Sequence, residues 1–166
     1  ISGIPAEAQL AAIQTLAEAI GSLGMAGGQA LDLEAEGQAA GVEALETIHK
    51  AKTGRLIEAC VIAPSQMAQC AKMEREALTE FAQRLGLAYQ VHDDVLDQTG
   101  DSATLGKTAG ADLARDKSTY PACLGIEESR RYARELANQA VEALKPLNGP
   151  TNHLESMALW AVERHH

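Results

Sequence analysis

Leu85-Gly86-Leu87-Ala88-Tyr89-Gln90-Val91-His92-Asp93-Asp94-Val95-Leu96-Asp97 carries a helical period and more apolar surface than an outside helix needs. At ~100° per residue, Leu85, Leu87, Ala88, Tyr89, Val91, Val95 and Leu96 spread over roughly 200° of the helix. Gly86, Gln90, Asp93, Asp94 and Asp97 share the narrow arc left over. The pattern predicts a largely buried helix in an all-α protein, with an acid-lined slot that resembles a cavity wall; Gly86, one turn below Gln90, leaves room in it.

Residues three and four apart on a helix have Cβ atoms about 5–6 Å apart, so Asp93, Asp94 and Asp97 are expected to share a side. At an effective dielectric of ~20, two carboxylates ~6 Å apart repel by roughly 3 kcal/mol, and the last turn adds the negative end of the helix dipole. No cation stands among them in the sequence. Oxygen-only ligands suit a hard divalent ion, and Mg²⁺ is usually held by one or two carboxylates, waters and substrate phosphates. The competing reading is a solvated helix end whose acids keep the protein soluble, although mixed Lys and Glu would be the usual surface choice.

Outward from this stretch the chain stays helical. Ala, Leu, Glu and Gln dominate, and no convincing alternating run is present. Pro5 suits the first turn of a helix carrying Leu10, Ile13, Leu16 and Ile20. The glycines from Gly21 to Gly28 imply either a break or the close approach of another backbone or a ligand before helical character resumes at Ala30–Ala35. A second helix is expected from Val42 to Ala63, stopping before Pro64, with a core stripe at Leu45, Ile48, Leu56, Ala59 and Ala63. Lys52 falls in that stripe; either an anion answers its charge or its tail snorkels to water, whereas Lys50 reads as surface. The acid-bearing helix is expected over Met67–Asp97, a long loop over Gly100–Lys117, and two closing helices near Glu127–Leu144 and Asn152–Arg164.

A chain of 166 residues is the size of one domain and buries a core without disulfides. Cys60, Cys70 and Cys123, odd in number and without C-x-x-C spacing, read as reduced packing residues of a cytoplasmic protein. A net charge of −9 argues against nucleic acid as a partner. No apolar run is expected to reach the ~20 residues of a membrane span, and Ile1–Pro5 lacks the regions of a signal peptide. Gly100–Thr108 nearly matches a phosphate-binding P-loop, but its glycines are five residues apart instead of four and it follows a helix. Lys107 and Lys117 are still two cations just beyond an acidic site, placed to grip a phosphate. His49, His92 and His153 have no zinc spacing.

Four blocks taken together resemble one family. They are Gly27–Leu33; Ile48-His49-Lys50-Ala51-Lys52-Thr53-Gly54; Tyr89–Asp97; and Gly106-Lys107-Thr108-Ala109-Gly110-Ala111-Asp112 with Lys117-Ser118-Thr119-Tyr120-Pro121. In this order they are similar to the carboxyl-terminal half of a trans-prenyl diphosphate synthase of the bacterial farnesyl diphosphate synthase type, over roughly residues 16 to 145. Tyr89 stands where that family usually has Phe.

The resemblance implies the isoprenoid synthase fold, an all-α bundle around a central cavity, with residues 1–166 as one helical domain forming the C-terminal portion of a larger one. It implies ionisation of an allylic diphosphate and attack by isopentenyl diphosphate on the cation, in a cytoplasmic homodimer. Asp93, Asp94 and Asp97 would bind or lie close to Mg²⁺, while Lys52, Thr53, Gln90, Lys107 and Lys117 would hold the allylic diphosphate; Asp93, Lys52 and Lys107 would carry the catalysis. The family also has an earlier D-D-x-x-D followed by paired arginines, whereas this chain has one D-D-x-x-D. The chain alone is therefore expected to be inactive, and product length is not legible in it. A catalytically silent subunit of a heteromeric synthase and a class I terpene cyclase are the alternative readings.

Overall fold

The computed structural model describes residues 3–38, 41–99 and 118–164. Among them there are helices and no strands: α1 (Ala6–Ile20), α2 (Met25–Glu34), α3 (Val42–His49), a π-helical turn (Lys50–Gly54), α4 (Arg55–Met67), α5 (Lys72–Thr99), α6 (Tyr120–Leu124), α7 (Ile126–Ala143) and α8 (Asn152–Glu163). The long helix α5 is the axis of the fold and packs against α4, α7, α8 and the π-turn. Phe81, Ala82, Ala88 and Val91 on it are wholly buried. One apolar cluster joins Leu87 and Val91 to Leu45, Tyr120 and Leu136, and another joins Phe81 and Leu85 to Leu144 and Ala158.

Small residues set the spacing of α1 and α2. The break falls at Gly21–Gly24, where a Cβ on Gly24 would lie 2.0 Å from the Ala19 carbonyl oxygen. Gly28 also serves the other role open to a glycine run, since a Cβ there would lie 2.2 Å from the Lys52 backbone nitrogen. Gly125, at φ +86°, turns the chain between α6 and α7 in a conformation that L side chains rarely adopt.

Several expectations are corrected. The helix expected to stop before Pro64 runs through it to Met67 and ends with Gln69 at φ +53°, the Cys70 amide closing on the Ser65 carbonyl at 3.0 Å. Proline removes one N–H but leaves its own carbonyl to accept, here from the Ala68 amide at 2.9 Å. Helix α5 starts at Lys72 instead of Met67. Cys60 and Cys123 are exposed, so neither is a packing residue. Residues Ala6–Glu34 do reach the length and apolarity of a membrane span, at a mean hydropathy of 1.2; here the glycines divide that stretch into α1 and α2.

Helix α1 turns its large apolar side chains outward. Leu10, Ile13, Leu16 and Ile20 are 65%, 63%, 41% and 49% exposed, while Ala12 and Ala19 are buried. Helix α1 meets α4 through small residues on both sides, including Ala59 and Ala63, and so turns its large side chains outward. An apolar face of this extent favours association. We expect the 166-residue chain to self-associate through it, and the double variant Leu10→Lys, Ile13→Lys to shift the association midpoint at least tenfold towards monomer in static light scattering. Unchanged association of the variant would place the contact elsewhere.

Candidate functional site

The site is built on two close backbone approaches. At Gly28 the backbone of α2 lies against Lys52, and at Gly86 a Cβ would come within 3.2 Å of the Gly54 Cα. The π-turn is thereby held between α2 and α5. A π-turn carries one extra residue for its length and is often found at functional sites.

Polar groups converge from the three elements. Lys52 Nζ reaches Asp32, one turn beyond Gly28, at 2.6 Å. The Thr53 hydroxyl donates to Gln90 Oε1 at 3.1 Å, the Gln90 amide donates to Asp94 Oδ1 at 3.4 Å, and Asp94 Oδ2 accepts from the Tyr120 amide at 3.0 Å. Thr53, Gln90, Asp94 and the start of α6 therefore form one continuous ladder. The sequence left Lys52 either an anion or a path to water, and it has both: Asp32 pairs with it, and its side chain is 36% exposed.

The three aspartates part company. Asp93 is paired with Arg164, which follows α8, at 3.0 Å. The guanidinium also lies 4.3 Å from the centre of the Tyr89 ring, and the Arg164 carbonyl accepts from His92 Nε2 at 2.9 Å. Burial holds the His92 pKa below the usual imidazole value; Arg164 and Arg130 push it the same way, against the hydrogen bond and Asp93. The acid run that lacks a local cation is thus supplied with one from a helix 71 residues away. Asp94, 6% exposed, is turned inward to Gln90 and Tyr120, and Asp97 is 4% exposed. The shared face expected for all three fails because adjacent helical positions diverge by ~100°, and the slot takes only one of Asp93 and Asp94.

Among the described residues no group of three acid, His or Cys side chains is gathered for a metal. By register Asp93 and Asp97, four apart, fall on one side of α5; Asp93 is half-exposed beside Arg164 and Asp97 is buried. That set fits an Mg²⁺ ion which takes its remaining ligands from water and a phosphate, and does not fit a cage made by the protein alone. Lys107 and Lys117 lie outside the described residues.

Three participants escape a reading of the sequence: Asp32, Arg164 and Tyr120. Only the last leaves a local signal, because Thr119 accepts from the Ala122 amide at 3.3 Å as an N-cap ahead of Pro121, a legible helix start. The Tyr120 ring is fully buried, its hydroxyl has no hydrogen-bond partner among the described residues, and burial drives its pKa far above the usual phenol range.

A model of the polyprenyl synthetase family matches residues 4–149. The farnesyl diphosphate synthase of Escherichia coli is 45% identical over 160 residues, which is 94% of this chain and 54% of that protein. Among solved structures, a polyprenyl synthase from Caulobacter crescentus complexed with calcium and isoprenyl diphosphate superposes with a TM-score of 0.88 at 26% identity, covering 95% of this chain and 60% of that one. A geranyltransferase from Helicobacter pylori complexed with magnesium and isoprenyl diphosphate superposes at 0.80 with 28% identity, covering 98% and 53%. The chain spans about half the length of the curated relatives it matches.

Two substitutions test this geometry by chemical denaturation. Gly28→Ala drives a methyl group into backbone that cannot step aside, and is expected to cost about 3 kcal/mol. Tyr120→Phe removes a buried hydroxyl without a partner, and is expected to be neutral or to stabilise by up to about 1 kcal/mol.

Proposed function

This chain belongs to the polyprenyl synthetase family, and we propose that it forms the diphosphate-holding half of a cytoplasmic prenyltransferase. The enzyme condenses dimethylallyl or geranyl diphosphate with isopentenyl diphosphate, to a C15 product, as a homodimer. The observation that carries this reading is the ladder from Thr53 through Gln90 to Asp94, with Lys52 beside it. It sets a cation, a hydroxyl and an amide from two elements against the acidic end of α5.

In this reading Lys52, Thr53 and Gln90, together with Lys107 and Lys117, bind the oxygens of the allylic diphosphate. Asp93 and Asp97 hold Mg²⁺, which offsets the charge that collects on the leaving diphosphate. Asp94 orients Gln90 and anchors the start of α6, and is a positioning residue. When the allylic carbon–oxygen bond breaks, its electron pair leaves with the diphosphate, and Lys52 and Lys107 stabilise that charge. The double bond of isopentenyl diphosphate then attacks the allylic cation, and the new cation forms its double bond by giving a neighbouring C–H proton to an oxygen of the released diphosphate.

Lys52 must exchange Asp32 for the diphosphate, and Asp93 must exchange Arg164 for the metal. Pyrophosphate is accordingly expected to raise the melting temperature only when Mg²⁺ is present, because a ligand of the native state stabilises it by mass action. Asp93→Ala should remove the Mg²⁺ dependence and Asp97→Ala should weaken it. Arg164→Gln should lower the Mg²⁺ concentration needed, since its competitor is gone. An unchanged Mg²⁺ titration in Asp93→Ala sinks the metal assignment.

Lys52→Met should weaken pyrophosphate binding at least tenfold while the helical circular dichroism spectrum stays that of the parent chain. Product chromatography with isopentenyl diphosphate and either allylic substrate is expected to find no turnover by the 166-residue chain, which has one D-D-x-x-D. Elongation by a longer chain carrying a second such motif supports the enzyme, and its failure there favours the silent subunit.

A further inference from the structure

A groove of about 670 Å³ runs between α5, α7 and α8, and its charge runs against the rest of the molecule. The chain has a net charge of −9, yet three guanidiniums, from Arg130, Arg134 and Arg164, line this groove opposite one carboxylate, Glu163. Arg130 and Arg134 are one turn apart on α7, close enough to repel. Elsewhere Arg55, Arg84 and Arg131 are answered by neighbouring acids, Glu58, Glu80, and Glu128 with Glu135, while Arg75 donates to the Cys70 carbonyl. Arg134 has no carboxylate partner among the described residues, and Arg130 reaches only the exposed Glu127, at 3.8 Å. Helices α5 and α8 add apolar side chains to the lining, Leu96 on α5 and Leu159 and Val162 on α8, beside His92 and Glu163.

We propose that this groove binds a phosphate ester with a short apolar substituent, without a metal ion. Guanidiniums grip phosphate oxygens in pairs; Arg130 and Arg134 offer two forks from α7, and Leu96 and Leu159 in the same lining would receive the apolar part. Asn138, one turn beyond Arg134, adds a neutral donor. Arg164 lines the groove and also holds Asp93, so an ester bound here competes with Asp93 for one guanidinium.

The test is calorimetry on the 166-residue chain in chelator-treated buffer, with inorganic phosphate and hexyl phosphate as probes. Hexyl phosphate is expected to bind at least tenfold more tightly than phosphate. Its affinity should fall at least tenfold in Arg134→Gln and steeply with added salt, and should persist in Lys52→Gln, which removes a diphosphate contact proposed above. Because no metal is present, failure of the metal-dependent reading leaves this result untouched. The groove is overturned if hexyl phosphate does not bind, if it binds no better than phosphate, or if binding survives Arg134→Gln and is lost in Lys52→Gln. Cosedimentation with vesicles containing phosphatidic acid separates the two sources: retention that Arg134→Gln abolishes marks a lipid headgroup, and hexyl phosphate binding without retention marks a soluble ester.

Discussion

The distance between the α2 backbone and the π-turn is the constraint on which the site depends. It is set by one missing methyl group: a Cβ on Gly28 would lie 2.2 Å from the Lys52 nitrogen and 2.5 Å from its Cα. Gly86 and Gly54 repeat the device on the far side of the turn, at 3.2 Å. Were either contact wider by a methyl group, the short side chains of Asp32 and Thr53 would no longer reach Lys52 and Gln90. The polar ladder follows from glycine packing, which is why the residues that position the site carry no chemistry of their own.

Within that frame the electrostatics are poised and not locked. Asp93 is 41% exposed on its side chain, and a pair of this half-open kind contributes about 1 kcal/mol. The guanidinium over Tyr89 adds about 0.5–1 kcal/mol. Contributions of this size are small enough for the pair to open at little cost. Lys52 stands likewise, one-third exposed and paired with an acid on a neighbouring helix. Both charges are held in place by partners weak enough to be exchanged.

The sequence made the helices and the axis of the fold legible because both are written in period. The apolar arc of 85–97 named α5 as a buried helix, the glycine run offered a break or a close approach and both occur, and the proline and glycine punctuation placed α7 and α8. Side-chain direction was another matter. A face built from positions 93, 94 and 97 spans more than one direction, and only the packing of α6 decides that Asp94 turns inward to the Tyr120 amide. Arg164 carries no local mark that distinguishes it from any arginine at a helix end; its role comes from the fold that brings α8 back across α5. Pro64 misled because proline forbids its own N–H bond and not the turn that follows.

The outward stripe of α1 follows from the same use of small residues. Ala12 and Ala19 let α1 approach α4 closely, and a helix seated on alanines must send its leucines and isoleucines elsewhere. A helix of an isolated soluble domain would carry charged groups on that face, yet α1 has two acids, Glu7 and Glu18, and no cation. The chain also covers only about half the length of its relatives. A face that is apolar, low in charge and built outward by the packing beneath it favours association. The Lys52–Asp32 contact and the outer face of α1 thus share one origin: glycines and alanines bring backbones together and decide where the larger side chains stand.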